Sequence, residues 1–239
     1  MPVYCITGTN RGLGLEFVRQ LAQSADNTIL ACTRSVSSDL TDLKAVASSS
    51  THILACDVGD LGSIREFVKE AAKILAGKKI DFLLNSAGIN PAGWQSSLSL
   101  GPDDVLTQIR VNVLGPAKTV EFLLQADRLA KDVRIMNMSS GLGSMQRSLE
   151  LKPRKFAGYS ISKAALNMLS IHQAGDLKEN LPGAVVILMD PGWVKTRMGG
   201  EGAILTPEES ISGMLKVVHG LKEEDNAKFY HYSGKQVPW

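Results

Sequence analysis

The sequence has little excess charge and no long hydrophobic run, and each shortage argues against a class of protein. Its 26 basic and 24 acidic residues leave a formal charge of +2, which gives no electrostatic reason to expect a nucleic-acid or membrane surface. No apolar run reaches the roughly 18 residues that a membrane-spanning helix needs. The chain enters an apolar run at Val3 without a basic leader or cleavage site. We therefore expect a cytoplasmic protein with no membrane or nucleic-acid partner.

Cysteine is also scarce. The three cysteines, Cys5, Cys32 and Cys56, lie in or at the end of apolar runs. An odd number without metal-ligand spacing argues against a disulfide framework and a zinc site. The four histidines are scattered and show no ligand spacing either. We expect buried free thiols that pack as small hydrophobic groups, and no metal.

Short apolar runs alternate with longer segments of helical periodicity. The runs are apolar nearly throughout, which is typical of parallel strands buried on both faces. Apolar residues between Ile64 and Leu75 follow the spacing of an amphipathic helix, and Thr206 followed by Pro207 predicts the start of another. The sequence predicts one α/β domain over residues 1–239: a single-domain Rossmann fold with a doubly wound, seven-stranded parallel sheet flanked by helices. The predicted strands are Val3–Thr7, Thr28–Thr33, His52–Ala55, Ile80–Leu84, Val133–Met138, Ala184–Met189 and Lys228–Tyr232.

A glycine-rich loop follows the first predicted strand, and a helical pattern follows the loop from Leu15. Glycines let a backbone approach a pyrophosphate closely, and the start of a helix points free N–H groups at an anion. The spacing G-x-x-x-G-x-G differs from the G-x-G-x-x-G of many dinucleotide folds, and a turn that merely needs glycines is the alternative. The position favours a dinucleotide site. The expected binding residues are Gly8, Asn10, Arg11, Gly12, Leu13 and Gly14.

Arg34 ends the second predicted strand, where NAD-binding sites carry a carboxylate for the ribose 2′-hydroxyl. Asp39 lies too far beyond that point. A guanidinium suits a 2′-phosphate by charge and by bidentate geometry, and Arg11 supplies a second cation. The alternative is that both are solvated surface arginines. The pair favours NADP(H) over NAD(H).

Further polar motifs follow predicted strand ends, where doubly wound sheets bind their ligands. Tyr159 and Lys163 are four residues apart and lie on one face of a predicted helix. A lysine cation there, joined by the positive nicotinamide of the oxidised cofactor, stabilises the phenolate and lowers the tyrosine pKa from about 10, so that Tyr159 can transfer protons. A serine hydroxyl donating to a substrate carbonyl would polarise it. The motifs are Asp57-Val58, Asn85-Ser86-Ala87-Gly88, Asn137-Met138-Ser139-Ser140-Gly141, Tyr159-Ser160-Ile161-Ser162-Lys163 and Asp190-Pro191-Gly192-Trp193-Val194-Lys195-Thr196.

This ordered set resembles the short-chain dehydrogenase/reductase family over essentially the whole chain. Asn85-Ser86-Ala87-Gly88 departs slightly from the family's usual Asn-Asn-Ala-Gly. The resemblance implies that Ser140, rather than Ser139, is the catalytic serine. It implies catalytic roles for Ser140, Tyr159, Lys163 and Asn112, the last supporting Lys163 through a bound water. A polar residue at a helix kink is the alternative reading of Asn112.

The resemblance also implies a set of cofactor contacts. Asp57 and Val58 match the segment near the adenine, and Asn85, Ala87 and Gly88 match the segment that lines the adenine ribose and stabilises the sheet. Tyr159 and Lys163 contact the cofactor as well as the substrate. The turn that receives the nicotinamide is matched by Pro191, Gly192, Val194 and Thr196.

Within the family, Thr33-Arg34, the Pro191–Thr196 turn and the ending Gly234–Trp239 are similar to the sniffer-like and carbonyl reductase branch. This branch reduces aldehydes, ketones and quinones with NADPH. The span from Ser140 to Tyr159 is shorter than in carbonyl reductases, so the sniffer-like proteins are the closer match. The residues expected to line the substrate site are Ile89, Met145, Trp193 and Met198, with Gly199–Leu205 as a lid.

Two other function classes compete with a reductase. An epimerase or dehydratase on this fold needs a larger C-terminal region than follows Met198. An NADP(H)-binding sensor with little catalytic activity often loses the tyrosine or lysine, whereas both are present here. The expected partners are a small-molecule carbonyl or alcohol substrate and a second copy of the chain, because the family often pairs the helices after Asn112 and Tyr159 in a homodimer.

Overall fold

The computed structural model describes residues 1–91, 93–152 and 155–239, and all seven strands belong to one parallel sheet. The strand order is β3-β2-β1-β4-β5-β6-β7. From β1 the chain adds β2 and β3 toward one edge of the sheet, and it then places β4 on the other side of β1. This change of direction leaves a crevice at the carboxyl ends of β1 and β4. The strands are β1 (Val3–Thr7), β2 (Thr28–Thr33), β3 (Thr51–Ala55), β4 (Ile80–Asn85), β5 (Leu129–Met138), β6 (Val185–Asp190) and β7 (Phe229–His231).

Helices cover both faces of the sheet, as the doubly wound prediction requires. One buried cluster joins the sheet to α1, α2 and α8, and the other joins it to α3, α5 and α7. Successive side chains of β1 point to opposite faces of the sheet, so this strand contributes to both clusters. Val3 and Cys5 belong to one cluster, and Tyr4 and Ile6 to the other. The helices are α1 (Gly12–Leu21), α2 (Thr41–Val46), α3 (Leu61–Leu75), α4 (Pro102–Ile109), α5 (Gly115–Gln125), α6 (Met145–Glu150), α7 (Ala157–Asn180) and α8 (Pro207–His219).

Several sequence expectations are confirmed at the level of single residues. Cys5, Cys32 and Cys56 are free and buried. The Thr206 hydroxyl accepts from the Glu209 backbone N–H at 3.2 Å, and the Glu209 carboxylate accepts from the Thr206 backbone N–H at 3.0 Å. This reciprocal capping box starts α8 at Pro207. Within the described ranges, no helix is long and apolar enough to cross a membrane.

Other expectations were wrong at element boundaries. β3 is not buried on both faces: it is an edge strand, and its residues are partly or fully exposed. β5 begins at Leu129 rather than Val133, and its pairing with β4 shifts register between Ile80 and Phe82. α1 begins at Gly12 rather than near Leu15, so the last glycines of the loop lie in the first helical turn.

Candidate active site

The glycine-rich loop turns sharply between β1 and α1. The Gly8 and Thr9 backbone N–H groups both donate to the Cys32 carbonyl oxygen, at 2.9 and 3.0 Å. Gly8 has a φ of +76°, and a Cβ there would lie 2.9 Å from the Cα of Ala87. At Gly14 a Cβ would lie 2.1 Å from the Gly8 carbonyl oxygen. Only glycine satisfies both close approaches, so the loop is closed by backbone against backbone.

The far side of the loop is open. Gly12 has a φ of +59°, and a Cβ there would meet only Thr196, at 3.8 Å. The loop after β1 therefore faces the turn after β6 across a narrow gap. Asn10 and Leu13 are half-buried on this loop, and Leu13 packs against the core beside α1.

The two arginines lie exposed at this edge of the sheet, Arg11 at the start of α1 and Arg34 directly after β2. Within the described part of the chain, no carboxylate forms an ion pair with either guanidinium. Both cations are therefore available to an anion from solvent.

The segments that follow β3 and β4 form local contacts that hold the backbone in place. The Asp57 carboxylate accepts from the Gly59 N–H at 2.9 Å, and Val58 packs tightly against Gly115. The Ala87 N–H donates to the Thr7 hydroxyl at 3.0 Å, which links the segment after β4 to the end of β1.

Asn85 is buried at the end of β4. Its amide nitrogen donates to the Asn137 side-chain oxygen at 2.8 Å, across to β5. Its own oxygen is buried without a hydrogen-bond partner among the described residues. The side chain thus ties the central strands together, as the resemblance implied for sheet stabilisation.

Tyr159 and Lys163 lie one turn apart near the start of α7, with the Lys163 Nζ atom 5.5 Å from the Tyr159 ring centre. The lysine is buried, and Nζ donates to the Met138 carbonyl oxygen at 2.6 Å. Nζ also lies beside Gly88, where a Cβ would be 3.6 Å away. The pair therefore meets the ends of β4 and β5.

Burial shifts the pKa values of both groups of this pair. The pKa of Tyr159 is raised rather than lowered, chiefly because burial removes water from the phenolate and also because the Asp190 carboxylate repels it. Burial also lowers the pKa of Lys163 to about 7. The expected lowering depends on Lys163 together with an oxidised nicotinamide, and it stays a prediction for the protein with bound cofactor. Tyr159 is accordingly a neutral phenol, which is the proton-donating form.

Asn112 lies within a π-helical turn, Arg110–Leu114, that joins α4 to α5. Its fully buried amide forms two hydrogen bonds with the Ile89 backbone, at 2.8 and 2.9 Å, and a third to the Ser162 hydroxyl at 3.0 Å. The sequence left two interpretations of Asn112 open: a polar residue at a helix kink, or a residue of the catalytic site. The structure directly shows that Asn112 lies in an irregular turn between two helices. The side chain supports the loop after Gly88 and the helix that carries Lys163.

The two serines after β5 have different surroundings. Ser139 is buried, and its hydroxyl donates to the Asn167 side-chain oxygen at 2.6 Å. Ser140 is half-buried at the start of a short 3₁₀ turn, Gly141–Gly143, and its hydroxyl accepts from the Leu142 N–H at 3.2 Å. The Ser140 hydroxyl hydrogen remains free to donate to a substrate, whereas that of Ser139 is already used.

The turn after β6 is held in place from both sides. Gly192 has a φ of +77° and packs against the Tyr232 ring, and Pro191 accepts a hydrogen bond from the Ser210 hydroxyl at 2.7 Å. Val194 pairs with Leu205, and the Thr196 hydroxyl accepts from the Gly199 N–H at 3.1 Å. The turn and the predicted lid are therefore connected at both ends of the lid.

The expected substrate-lining residues are unequally placed. Ile89 is half-buried on Asn112, whereas Met145, Trp193 and Met198 are each at least half exposed. The Trp193 indole N–H donates to the Gly199 carbonyl oxygen at 2.8 Å. In the lid, Ile204 is 78% exposed. Four large apolar side chains, Met145, Trp193, Met198 and Ile204, are thus at least half exposed around the site.

Sequence reasoning missed one ion pair next to these groups. The Arg147 guanidinium on α6 lies 3.0 Å from the Asp190 carboxylate at the end of β6. The position of Asp190, directly before Pro191 at a strand end, was the available signal. Its partner could not be found from the sequence, because the two residues are far apart along the chain.

The site so built has a glycine-rich loop, two exposed arginines, and a tyrosine–lysine pair beside a serine at the ends of parallel strands. This is the arrangement of a dinucleotide-type α/β fold with acid–base groups. The short chain dehydrogenase family model matches residues 2–203. The chain therefore belongs to the short-chain dehydrogenase family and is an oxidoreductase of that class.

Three known proteins illustrate the similarity. The NADPH-bound carbonyl reductase from chicken fatty liver has a TM-score of 0.91 and 31% identity, with all of both chains covered. Carbonyl reductase Sniffer of D. melanogaster has a TM-score of 0.88 and 26% identity, again over both whole chains. C-signal of Myxococcus xanthus is 34% identical over 160 residues, which cover 67% of this chain and 93% of that protein.

Proposed function

We propose that this protein is an NADPH-dependent carbonyl reductase, with Tyr159 as the proton donor. The observation that carries the proposal is the pair of half-buried Tyr159 and buried Lys163 at the end of β5, beside Ser140. The raised pKa of Tyr159 keeps the phenol protonated at neutral pH, which is the form that reduction of a carbonyl consumes. The similar chicken carbonyl reductase and Sniffer support this reaction class.

The chain also fits a dinucleotide phosphate. Only Thr196 would lie within 4 Å of a Cβ at Gly12, so the start of α1 has room for a pyrophosphate, and the exposed Arg11 and Arg34 suit a 2′-phosphate. When bound, NADPH supplies the hydride. Asp57, Val58, Asn85, Ala87 and Gly88 would line the adenosine half. The loop residues Gly8, Asn10, Gly12 and Leu13 and the turn Pro191, Gly192, Val194 and Thr196 complete the proposed contacts.

The catalytic residues have separate tasks in this proposal. Ser140 donates a hydrogen bond that orients and polarises the substrate carbonyl, and Tyr159 donates a proton to the same oxygen. Lys163 stabilises the resulting phenolate, and that negative charge favours the protonated lysine. Asn112 positions the loop at Ile89 and the helix at Ser162 around them.

The test measures NADPH oxidation over a panel of aldehydes, ketones and quinones. Tyr159→Phe is expected to lose at least about a hundredfold in kcat, the usual contribution of a general acid. Tyr4→Phe is the matched control, because Tyr4 is buried in β1 and bonds His219 instead. Full activity of Tyr159→Phe would refute the mechanism, and NADH outperforming NADPH would refute the cofactor.

An NADP(H)-binding sensor with little catalytic activity is a second candidate. The observation in its favour is the similarity to C-signal, a protein named for a signal rather than for a reaction. The same panel of aldehydes, ketones and quinones distinguishes a reductase from a sensor. A sensor binds NADPH tightly, turns over no member of the panel, and responds equally little to Tyr159→Phe and Tyr4→Phe.

We further propose a cytoplasmic homodimer. Ile161, Met168 and Ile171 form an exposed apolar stripe on one side of α7. Leu106 on α4 and Leu114 at the start of α5 are exposed as well, on elements adjacent to α7. Burying this apolar surface against the same surface of a second copy, across a twofold axis, is energetically favourable. The three free thiols suit a reducing compartment.

A further inference from the structure

The helix α6 (Met145–Glu150) follows the serine turn and lacks a buried face. It is six residues long, and none of its residues, all of which the structure describes, is buried. A helix this short is not stable by itself, and α6 has no buried side chain that fixes it against the core. Its position therefore depends on contacts that other segments make with its surface.

Two contacts of α6 involve Arg147. The Ser144 hydroxyl accepts from the Arg147 backbone N–H at 3.1 Å, which caps the start of the helix. The Arg147 guanidinium lies 3.0 Å from the Asp190 carboxylate at the end of β6. The first contact lies within the helix start, whereas the second ties α6 to the sheet through a long side chain.

A third contact comes from the segment Gly234–Trp239. The Trp239 carbonyl oxygen accepts from the Gln146 backbone N–H at 2.8 Å. N–H groups in the first turn of a helix have no partner within that helix, so this carbonyl satisfies a donor that α6 itself cannot satisfy. The contact joins backbone to backbone, and it therefore fixes the path of α6 more directly than a side chain does.

The segment Gly234–Trp239 is itself anchored on β7. The Val237 N–H donates to the Phe229 carbonyl oxygen at 2.8 Å, and the His231 N–H donates to the Lys235 carbonyl oxygen at 2.8 Å. Val237 is buried in the same apolar cluster as Phe229. The Trp239 ring lies 5.9 Å from the Phe229 ring, centre to centre. The core is thus connected to α6 through Trp239.

The serine turn before α6 is held by other residues. The Asn167 amide nitrogen donates to the Gly143 carbonyl oxygen at 3.0 Å, and the Asn167 side-chain oxygen accepts from the Ser139 hydroxyl at 2.6 Å. These contacts bracket Ser140 on both sides in the sequence. Loss of the Trp239 contact should therefore move α6 and leave Ser140 in place.

We propose that Trp239 is a positioning residue that fixes α6 as one wall of the substrate site, where Met145 and Leu149 receive the apolar part of a large carbonyl substrate. These two side chains are one turn apart on the helix, and they are 69% and 70% exposed. Apolar surface of this kind is favourable to bury under an apolar ligand. The inference rests on the proposed function and adds a substrate class to it: carbonyl compounds with an extended apolar group.

The kinetic test measures kcat and KM with NADPH for aldehydes from propanal to octanal. Trp239→Ala should raise KM for octanal by about tenfold, the value of one or two lost methylene contacts, and leave kcat nearly unchanged. Propanal should respond little, because it has little apolar surface for α6 to cover. Trp239→Phe keeps a ring against Phe229 and should restore KM. Lys235→Ala, at an exposed position of the same segment, is the control.

A double-mutant cycle tests whether Trp239 acts through α6. Met145→Ala should also raise KM for octanal, and the variant with both Met145→Ala and Trp239→Ala should be no worse than the more affected single variant. Fully additive effects would show that Trp239 acts elsewhere and would overturn the proposal. A loss in kcat that is equal for propanal and octanal would overturn it as well, because it indicates general damage to the fold.

Hydrogen exchange followed by mass spectrometry reports on α6 without turnover. The peptide over residues 141–150 should exchange up to about tenfold faster in Trp239→Ala, about the value of one hydrogen bond. Trp239→Phe and Lys235→Ala should exchange like wild type. Unchanged exchange in Trp239→Ala overturns the proposal. If Trp239→Ala fails to fold, Trp239→Leu, which keeps an apolar contact but not the ring, takes its place.

The two readouts separate two failures. If the wild type turns over no carbonyl compound while α6 exchanges faster in Trp239→Ala, the proposed function is refuted and the positioning of α6 by Trp239 is supported. If the wild type is an active reductase whose KM for octanal does not respond to Trp239→Ala, the substrate role of α6 alone is refuted.

Discussion

Lys163 is hydrogen-bonded through Nζ to the carbonyl oxygen of Met138, at 2.6 Å, at the carboxyl end of β5. The partner of this buried ammonium is a neutral carbonyl, so no negative charge repays its loss of hydration. That is why burial lowers its pKa to about 7. Lys163 thus destabilises the fold when charged, and its retention points to a role other than stability.

We expect Lys163→Met to be more stable than wild type at pH 6, and the advantage to shrink as the pH rises. The unfolded lysine holds its proton up to about pH 10.5, whereas the folded one releases it near pH 7. Wild-type stability therefore increases between these two values. At about 1.4 kcal/mol per pKa unit, the effect is at most about 5 kcal/mol.

Urea unfolding of both proteins at pH 6, 8 and 10 measures this difference. Lys178→Met, at an exposed position of the same helix, is the control, and its effect should not vary with pH. A constant difference between Lys163→Met and wild type across this range would show that the buried lysine keeps an ordinary pKa.

Alanine substitutions of Ser140 and Ser139 should affect different properties of the protein, activity in the first case and stability in the second. Ser140→Ala should lower kcat by about a hundredfold or more, because a donor to the developing charge is lost. Its effect on stability should be smaller than that of Ser139→Ala, because the half-buried Ser140 hydroxyl only accepts from the Leu142 N–H. Ser139→Ala should cost about 1–3 kcal/mol of stability, because the buried oxygen of Asn167 loses its donor. Kinetics and thermal melts of both variants check this, and the reverse pattern would assign the substrate contact to Ser139.

Arg34→Ala should weaken NADPH binding by about ten- to a hundredfold, the value of a charged hydrogen bond. Binding of NADH should change little, since it has no 2′-phosphate. Arg19→Ala is the control, because Arg19 is also exposed but lies on α1 in an ion pair with Glu16. Cofactor titrations by fluorescence give both constants. Equal losses for NADPH and NADH would contradict a 2′-phosphate contact.

Gly14→Ala should prevent the loop from closing and abolish dinucleotide binding. The added Cβ would lie 2.1 Å from the Gly8 carbonyl oxygen, which cannot move without shifting β1 or α1. Gly175→Ala is the matched control on α7, where nothing lies within 4 Å of the new Cβ. That variant should gain about 0.5–1 kcal/mol from helix propensity. Binding titrations and denaturant melts compare the two.

Met168→Glu should convert the proposed dimer to a monomer at micromolar concentration. Met168 is 56% exposed in the apolar stripe of α7, and a carboxylate there would be buried against its own copy. Leu98→Glu, at a position 97% exposed outside that stripe, should leave the mass unchanged. Sedimentation gives the masses, and a monomeric wild type would refute the dimer directly.

Local patterns in the sequence predicted most of the fold. The bounds of β1 and β2 were predicted residue for residue, because both strands are buried throughout and mostly apolar. The start of α8 was predicted because an N-cap threonine, Thr206, and a proline at the first helical position are neighbours in the sequence, whereas the reciprocal capping box came from the structure. The exposed edge strand β3 was mistaken for a buried one, since its composition does not record the missing neighbour on one side.

Local patterns in the sequence predicted only part of the candidate active site. Tyr159 and Lys163 could be paired because a helix brings residues four apart onto one face. By contrast, Asn112 holds Ile89, and Arg147 holds Asp190, across gaps of 23 and 43 residues. No periodicity links such residues. They meet only because parallel strands place their carboxyl ends along one edge of the sheet.

The sequence by itself determined the class of the protein: a doubly wound α/β fold, a glycine loop after the first strand, and a proton-transferring tyrosine beside a lysine. These depend on spacing over a few residues. Tertiary structure alone decided the charges in the site. Desolvation lowers the pKa of Lys163 and, together with the Asp190 carboxylate, raises that of Tyr159, because desolvation and distant charges act through space rather than along the chain.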